Sequence, residues 1–384
     1  MNTKKLFDLV PNWVYLDNAA STPSFVKVKE SVVDFLNSYG SVHRGDSYMS
    51  KTSTDRYEQA RENIKKILKA PTTHDLVFCQ NTTDGLNKLS LMVDLSDKTV
   101  AVSDIEHSAN YLPWAKRAKK VVQIKTTKSF RIDLEDLEKT LKTENIYLLS
   151  LALASNVSGV VLSSKELDFI YKLTRETNTL LVLDAAQAVA HIKVDLSKIK
   201  CDAIVFAGHK MYAPYGGGAI IARKDYLENT FNSLTGGGNV EDINYQTGEV
   251  LYKPVPYRHE IGTPNAIGAI ALEKAFEVLY KDIGIEEVEK HNKEVIEAFK
   301  ELEEFDILKD RNVDKRTPIL LIEKAEKNLK LLREHNIAFR EGNFCVYNFM
   351  RKIGKPEGVI RLSAGLTTSV EDIEFLKRVL KGDK

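Results

Sequence analysis

The sequence predicts an α/β protein built on a mostly parallel sheet, with a large domain followed by a smaller one. Three observations carry this. From Leu76 onward, short apolar runs alternate with helical patterns, the signature of strand–helix–strand units. Two of the runs, Leu180-Leu181-Val182-Leu183 and Ala203-Ile204-Val205-Phe206-Ala207, are apolar without alternation, as strands buried on both faces are. The length, 384 residues, suffices for one large core and one small one.

Taken in order, Trp13-Val14-Tyr15-Leu16-Asp17-Asn18-Ala19-Ala20 reads as a short extended segment that belongs with the small domain. Ser41-Val42-His43-Arg44-Gly45 is a loop, and Thr52 to Leu68 is a helix with Tyr57, Ala60, Ile64, Ile67 and Leu68 on one face. His43 and Arg44 suit an anionic substrate as well as they suit a solvated loop. Strands follow at Leu76–Cys79, Val100–Val102 and Ile146–Leu153, with a helix from Leu86 to Met92. The triple glycine after Tyr215 precedes the strand Ala219–Ala222 and opens no helix, so it is not a dinucleotide fingerprint and reads as close backbone packing. Gly236 to Pro256 is a long loop or hairpin excursion. Helical patterns then cover Ala266–Tyr280 and Ile285–Phe305, and the domain boundary falls in Lys281-Asp282-Ile283-Gly284. This gives an N-terminal segment 1–15 packing with the small domain, a large domain 16–282 and a small domain 283–384. The last part reads strand (Ile319–Ile322), helix (Ala325–His335), a loop containing Arg340 to Cys345, strand (Val359–Leu362), and a helix opened by the capping-box match Thr368-Ser369-Val370-Glu371.

Bulk composition narrows the function. Net charge is +1, from 55 basic and 54 acidic residues scattered along the chain, which speaks against nucleic acid and anionic membranes as partners. The longest apolar run, Ile146 to Ala154, is broken by Ser150 and is far short of the ~20 residues of a membrane helix. Asp8 interrupts the apolar patch after Lys4-Lys5, so no signal peptide is expected. Three well-separated cysteines, Cys79, Cys201 and Cys345, argue for a reducing, cytoplasmic setting and against a disulfide framework or a zinc site.

The chemistry gathers at strand ends. One buried run ends in Asp184-Ala185-Ala186-Gln187 and the next in Gly208-His209-Lys210, and in open α/β sheets the carboxyl edge is where ligands bind. A lysine partly withdrawn from water loses some of the preference for its charged form that sets its pKa near ~10.4, and the free amine attacks carbonyls. A strand-end lysine for a Schiff base and a strand-end carboxylate to keep a pyridine nitrogen protonated are what pyridoxal phosphate needs. Singly, the two would be a surface lysine and a capping aspartate; together, and in this order, they favour the cofactor. Gln80-Asn81-Thr82-Thr83-Asp84-Gly85, in a strand-to-helix turn, suits a phosphate or an ordinary cap. His107, just past a strand, suits stacking on a flat ring or proton transfer. Asn156 suits a ring substituent or a turn.

With these pieces in place, the chain resembles the class V group of fold-type I pyridoxal-phosphate enzymes, in particular the SUF-type cysteine desulfurases and selenocysteine lyases. The likeness runs from Tyr15-Leu16-Asp17-Asn18-Ala19-Ala20 to Arg361-Leu362-Ser363. Its most specific parts are Asp184-Ala185-Ala186-Gln187, Gly208-His209-Lys210 and Gly262-Thr263-Pro264-Asn265. The resemblance implies a large domain with a mostly parallel seven-stranded sheet and a smaller α+β C-terminal domain. It implies that Lys210 carries the cofactor and moves the substrate's α-proton, that Asp184 pairs with the pyridine nitrogen, that Gln187 and Asn156 face the ring oxygen, and that His107 stacks on the ring. Thr83, His209 and Thr263 would hold the phosphate, Thr263 coming from the partner in a homodimer. Arg361 would bind the substrate carboxylate, with Asn18, Arg340, His43 and Arg44 about it. Cys345 falls where the family keeps its nucleophile, which takes sulfur from L-cysteine (or selenium from L-selenocysteine) as a persulfide and yields it to an acceptor protein for iron–sulfur cluster assembly. The chain departs from the pattern at two places: Ala207 replaces a serine that touches the phosphate, and Asn343-Phe344 replace two histidines before the nucleophile. The other readings are a class V aminotransferase or selenocysteine lyase with Cys345 incidental, and a non-catalytic docking scaffold.

Overall fold

Seven strands form the central sheet of the computed structural model, which describes residues 3–309 and 315–382. After a short opening strand β1 (Val14–Tyr15), they are β2 (His74–Cys79), β3 (Thr99–Ser103), β4 (Lys120–Ile124), β5 (Ile146–Ala152), β6 (Leu180–Asp184), β7 (Ala203–Ala207) and β8 (Gly218–Arg223). Their spatial order is β2-β8-β7-β6-β5-β3-β4. Only β8 runs against the rest, pairing antiparallel with β2 and β7, so the mostly parallel sheet expected from the apolar runs is what forms. Those runs lack alternation because both faces are covered. Leu149, Leu181, Leu183, Ile204 and Phe206 enter one apolar cluster, while Leu148, Val182, Ala203, Val205 and Ile220 enter another on the opposite face.

The order of the strands sets where side chains converge. The chain steps outward from β3 to β4, returns to β5 on the other side of β3, and continues through β6 to β7. The carboxyl ends of these parallel strands lie along one edge, with β3 and β5 flanking the reversal. His107 follows β3, Asn156 follows β5, Asp184 ends β6, and His209 and Lys210 follow β7. Glycine lets the covering pieces settle closely. A Cβ on Gly218 would lie 2.9 Å from Asn81 Cα, which is the close backbone packing expected of the Gly216–Gly218 run.

Beyond β8, the Gly236–Pro256 excursion contains a hairpin of β9 (Val240–Ile243) and β10 (Val250–Tyr252). The helix Ala266–Glu277 runs on through a wider turn to Ile283 and stops at Gly284, whose φ of 88° ends it; the helix Ile285–Lys300 follows. The remaining strands are β11 (Ile319–Ile322), β12 (Ile337–Ala338), β13 (Arg340–Gly342) and β14 (Val359–Ser363). β11, β14 and β13 make a second, antiparallel sheet in that order, and β1 pairs in parallel with β12. Leu16, Val295, Leu320, Ile360 and Leu376 share the core beneath this sheet. Among the described residues no helix is long and apolar enough to cross a membrane.

Several local expectations need correction, among them the helix read from Leu86, which starts at Thr82 behind its cap Asn81. Arg340–Gly342, read as loop, is an edge strand held by backbone pairing with β14, which its polar side chains do not announce. The helix read from Thr52 starts at Tyr48, where Ser47 caps it by accepting from Ser50 N at 3.2 Å. The last helix is capped one residue later than read: Ser369 Oγ accepts from Asp372 N, and Asp372 Oδ2 accepts from Ser369 N at 2.8 Å.

Candidate active site

A cavity of about 640 Å³ opens at the carboxyl edge of the sheet. Its lining includes Thr83, His107, Asn156, Asp184, Gln187, His209, Lys210, Arg340, Cys345 and Arg361, so ten residues singled out in the sequence meet at one place. Lys210 ends the turn Gly208–Lys210 that follows β7. Burial pushes its ammonium down to about 8; the carboxylate of Asp184 opposes that shift, while Arg361 and Arg340 add to it. Asp184, buried in turn, is raised above the usual carboxylate range, with the N–H of Ala186 (2.9 Å) and the charge of Lys210 pulling the other way.

The turn after β3 sets the face of the cavity. His107 Nδ1 accepts from Ala109 N at 3.0 Å, which leaves the ring proton on Nε2. Burial first, then Lys210, Arg361 and Arg340, lower its pKa to about 4, so at neutral pH the ring is a flat, uncharged plate. Beneath it, the buried carboxylate of Glu106 accepts from Ser103 Oγ (2.6 Å), Asn110 Nδ2 (2.8 Å) and Ala152 N (3.0 Å), tying β3, β5 and the turn together. Burial raises Glu106 to about 7 despite these donors. His209 is lowered to about 4, by burial first and then by Lys210.

Across the cavity stands the N-terminus of the helix Thr82–Leu91. Asn81 caps it by accepting from Asp84 N at 3.0 Å, and the buried Thr82 Oγ1 has no partner among the described residues. At the far side, Arg361 projects from the middle strand of the second sheet and is 2% exposed. Its Nη1 donates to Asn156 O at 3.0 Å and its Nη2 to Asp17 Oδ1 at 3.4 Å, while Nε has no partner among the described residues. Burial lowers its pKa to about 10, although Asp17 works against the shift. A buried guanidinium with one long ion pair and an unmet donor is prepared for another anion.

Cys345 is exposed, between the buried Phe344 and Val346, in the connection from β13 to the helix Tyr347–Lys352. Phe344 and Cys345 hold left-handed backbone, with φ of 50° and 56°, a conformation that costs a non-glycine residue about 1–2 kcal/mol. The Phe344 ring packs against the Arg361 guanidinium, 4.7 Å from its centroid. Four other sequence candidates lie off the cavity lining. Asn18 spends its amide on Ser363 O (3.1 Å), Tyr15 O (3.3 Å) and the hydroxyl of Thr367 (3.0 Å), binding the opening segment to the end of β14. His43 pairs with Glu58 at 2.7 Å, Arg44 reaches Gly262 O at 3.1 Å, and Thr263 is exposed beside Gly262.

The aminotransferase class-V family matches this chain over residues 14–376. The chain belongs to the class-V aminotransferase family. A probable cysteine desulfurase of Pyrococcus abyssi is 31% identical, the match covering 99% of this chain and 96% of that one. One from Halalkalibacterium halodurans is 30% identical, covering 99% and 97%. Among solved structures, the apo cysteine desulfurase of Thermococcus onnurineus NA1 superposes with a TM-score of 0.90 at 27% identity, covering 99% of this chain and 96% of that one. The Escherichia coli cysteine desulfurase CsdA gives 0.87 at 26%, covering 99% and 97%.

Class-V members depend on pyridoxal phosphate, and the residues present fit it. The unpartnered Thr82 hydroxyl at a ten-residue helix N-terminus offers donors to a phosphate; a depressed lysine and a buried aspartate stand at neighbouring strand ends. Sequence reasoning had passed over Thr82, Glu106 and Asp17. Thr82 stood in the hydroxyl-rich turn from which Thr83 was chosen, whereas no sequence signal marks Glu106 as buried.

Proposed function

We propose that this protein is a pyridoxal-phosphate-dependent cysteine desulfurase that converts L-cysteine to L-alanine and takes the sulfur as a persulfide on Cys345. The observation that carries the reading is that an exposed thiol shares one cavity with Lys210, Asp184 and Arg361. A thiol beside those three groups has no task in a simple amino-group transfer.

When bound, the cofactor supplies an aldehyde for a Schiff base and a ring that accepts the electrons released at the substrate's α-carbon. The chain's own residues do the rest. Lys210, with its pKa brought to about 8, has a free-amine fraction near neutral pH that suits both Schiff-base formation and acceptance of the α-proton. Asp184 would keep a proton on the pyridine nitrogen, neutral His107 would cover the ring, and Gln187 and Asn156 would attend the ring oxygen. Thr83 and His209 would hold the phosphate, and Thr82, whose hydroxyl is unpartnered among the described residues, would supply the hydroxyl that Ala207 lacks. Arg361 takes the substrate carboxylate, with Arg340 adding positive charge. Cys345 then attacks the substrate sulfur: the S–S bond forms, the C–S bond breaks with its electron pair left on carbon, and carbon takes a proton to become alanine. No external oxidant is required. The exposed position of Cys345 suits delivery to an acceptor protein, as iron–sulfur cluster assembly in a reducing cytoplasm requires.

The test is Cys345→Ser. It retains the visible absorbance of the Schiff base and still binds L-cysteine, yet releases alanine at least ~10²-fold more slowly, because a hydroxyl is a far poorer nucleophile than a thiol. Mass spectrometry of wild type after L-cysteine finds one added sulfur on the Cys345 peptide. Release of alanine and sulfide by the variant at the wild-type rate, with no adduct on wild type, overturns the reading in favour of a lyase in which Cys345 is incidental, and a keto acid formed without sulfide release overturns it in favour of an aminotransferase.

A further inference from the structure

Cys345 has no histidine beside it in the chain, yet its loop holds two successive left-handed residues, which persist only where surrounding contacts fix them. Three contacts do so. Phe344 O accepts from Asn156 Nδ2 at 3.1 Å, the Phe344 ring lies against Arg361, and Cys345 O accepts twice from Ser108, from its N at 2.7 Å and its Oγ at 2.8 Å. The first two rest on groups that the proposed chemistry assigns to the cofactor ring and to the substrate carboxylate, so both change when the site fills. The Ser108 clamp does not. Its own turn is fixed from below, because Asn110, 0% exposed, donates to Glu106 and accepts from Ser150 and from Trp114 Nε1.

We propose that Ser108 is the positioning residue for Cys345: it fastens the nucleophile's carbonyl to the turn that carries His107, and so fixes where the thiol lies relative to ring and substrate. Ser108 touches neither, acting through Cys345. The inference rests on Cys345 being the sulfur acceptor, and its test separates the two claims.

Hydrogen exchange is followed by mass spectrometry on the cofactor-loaded protein, in the peptide spanning Asn343–Asn348, for wild type, Ser108→Ala and Ser108→Thr. Loss of the hydroxyl donor speeds exchange there about fivefold, the change that one ordinary hydrogen bond makes. Threonine restores it. In the same proteins, Ser108→Ala lowers kcat for alanine by a similar factor while KM for L-cysteine and the Schiff-base absorbance stay put. Exchange and kcat both at wild-type values overturn the proposal, and so does a fall in cofactor absorbance together with a changed KM, which would mean that Ser108 acts through His107. If wild type carries no sulfur on Cys345, the desulfurase reading fails, and the exchange rates alone still decide whether Ser108 anchors the loop.

Discussion

Lys210 shows how far a single residue's environment determines its chemistry. In water its amine would be protonated at any physiological pH; burial, aided by two guanidinium groups, brings it to about 8, with Asp184 the main charge resisting. The sign follows directly: the reactive form is the free amine, so its fraction rises through pH 8. Recombination of the cofactor-free protein with pyridoxal phosphate should therefore quicken about tenfold per unit below pH 8 and level off above about 9, measured by stopped-flow absorbance. A rate that keeps climbing to pH 10 would mean that Lys210 titrates like a lysine in water. Lys210→Ala should form no such absorbance and lose at least ~10²–10⁴-fold in alanine release, the usual contribution of a positioned acid–base group. The strand-end position of this residue was legible in the sequence because an apolar run stopping at Gly-His-Lys has few other readings. The neighbours that tune it were not, since Arg361 and Arg340 lie more than a hundred residues away and reach it through a second sheet.

Elements were legible where burial dictated composition and obscure where backbone or caps did. β6, β7 and β11 announce themselves because strands covered on both faces are all apolar. β13 was hidden: its Arg-Glu-Gly sequence resembles a loop, and pairing with β14 asks only for its N–H and C=O groups. It nonetheless matters to the site, because the register sets Arg340 opposite Arg361. Helix starts were missed for a similar reason, since serines and threonines cluster near both and only geometry tells which one caps. The final helix gives a test. Ser369 rather than Thr368 accepts from the helix N–H, so Ser369→Ala should cost about 1 kcal/mol in denaturant unfolding with an unchanged slope. Thr368→Ala is a different perturbation, removing a buried hydroxyl that donates to Tyr15 O at 2.9 Å. Equal stability of Ser369→Ala and wild type would place the cap elsewhere.

At the scale of the whole molecule, three of the four candidates lying off the cavity lining call for an account. His43, Arg44 and Thr263 sit together, joined by the Arg44–Gly262 hydrogen bond, above a buried ion pair in which Arg61 holds Glu260 at 2.8 Å and 3.0 Å. That pair fixes the loop bearing Thr263 while leaving Thr263 itself exposed. A few residues after Arg44 in the chain, Tyr48 is 80% and Met49 47% exposed, large apolar groups of the kind that a protein partner covers. We infer a homodimer in which Thr263 of one copy serves the phosphate of the other, and subunit mixing tests it. Lys210→Ala and Thr263→Ala are each impaired, the first in chemistry and the second in holding the phosphate. A lost hydrogen bond to a charged group weakens cofactor binding roughly ten- to a hundredfold. In a heterodimer of the two variants, crossing places both lesions in one site and leaves the other intact. Purified through two different tags and titrated with limiting cofactor, the heterodimer should bind at one site with wild-type affinity and turn over at half the wild-type rate. If each Thr263 serves its own subunit, no intact site exists, and the tight-binding half of the titration disappears.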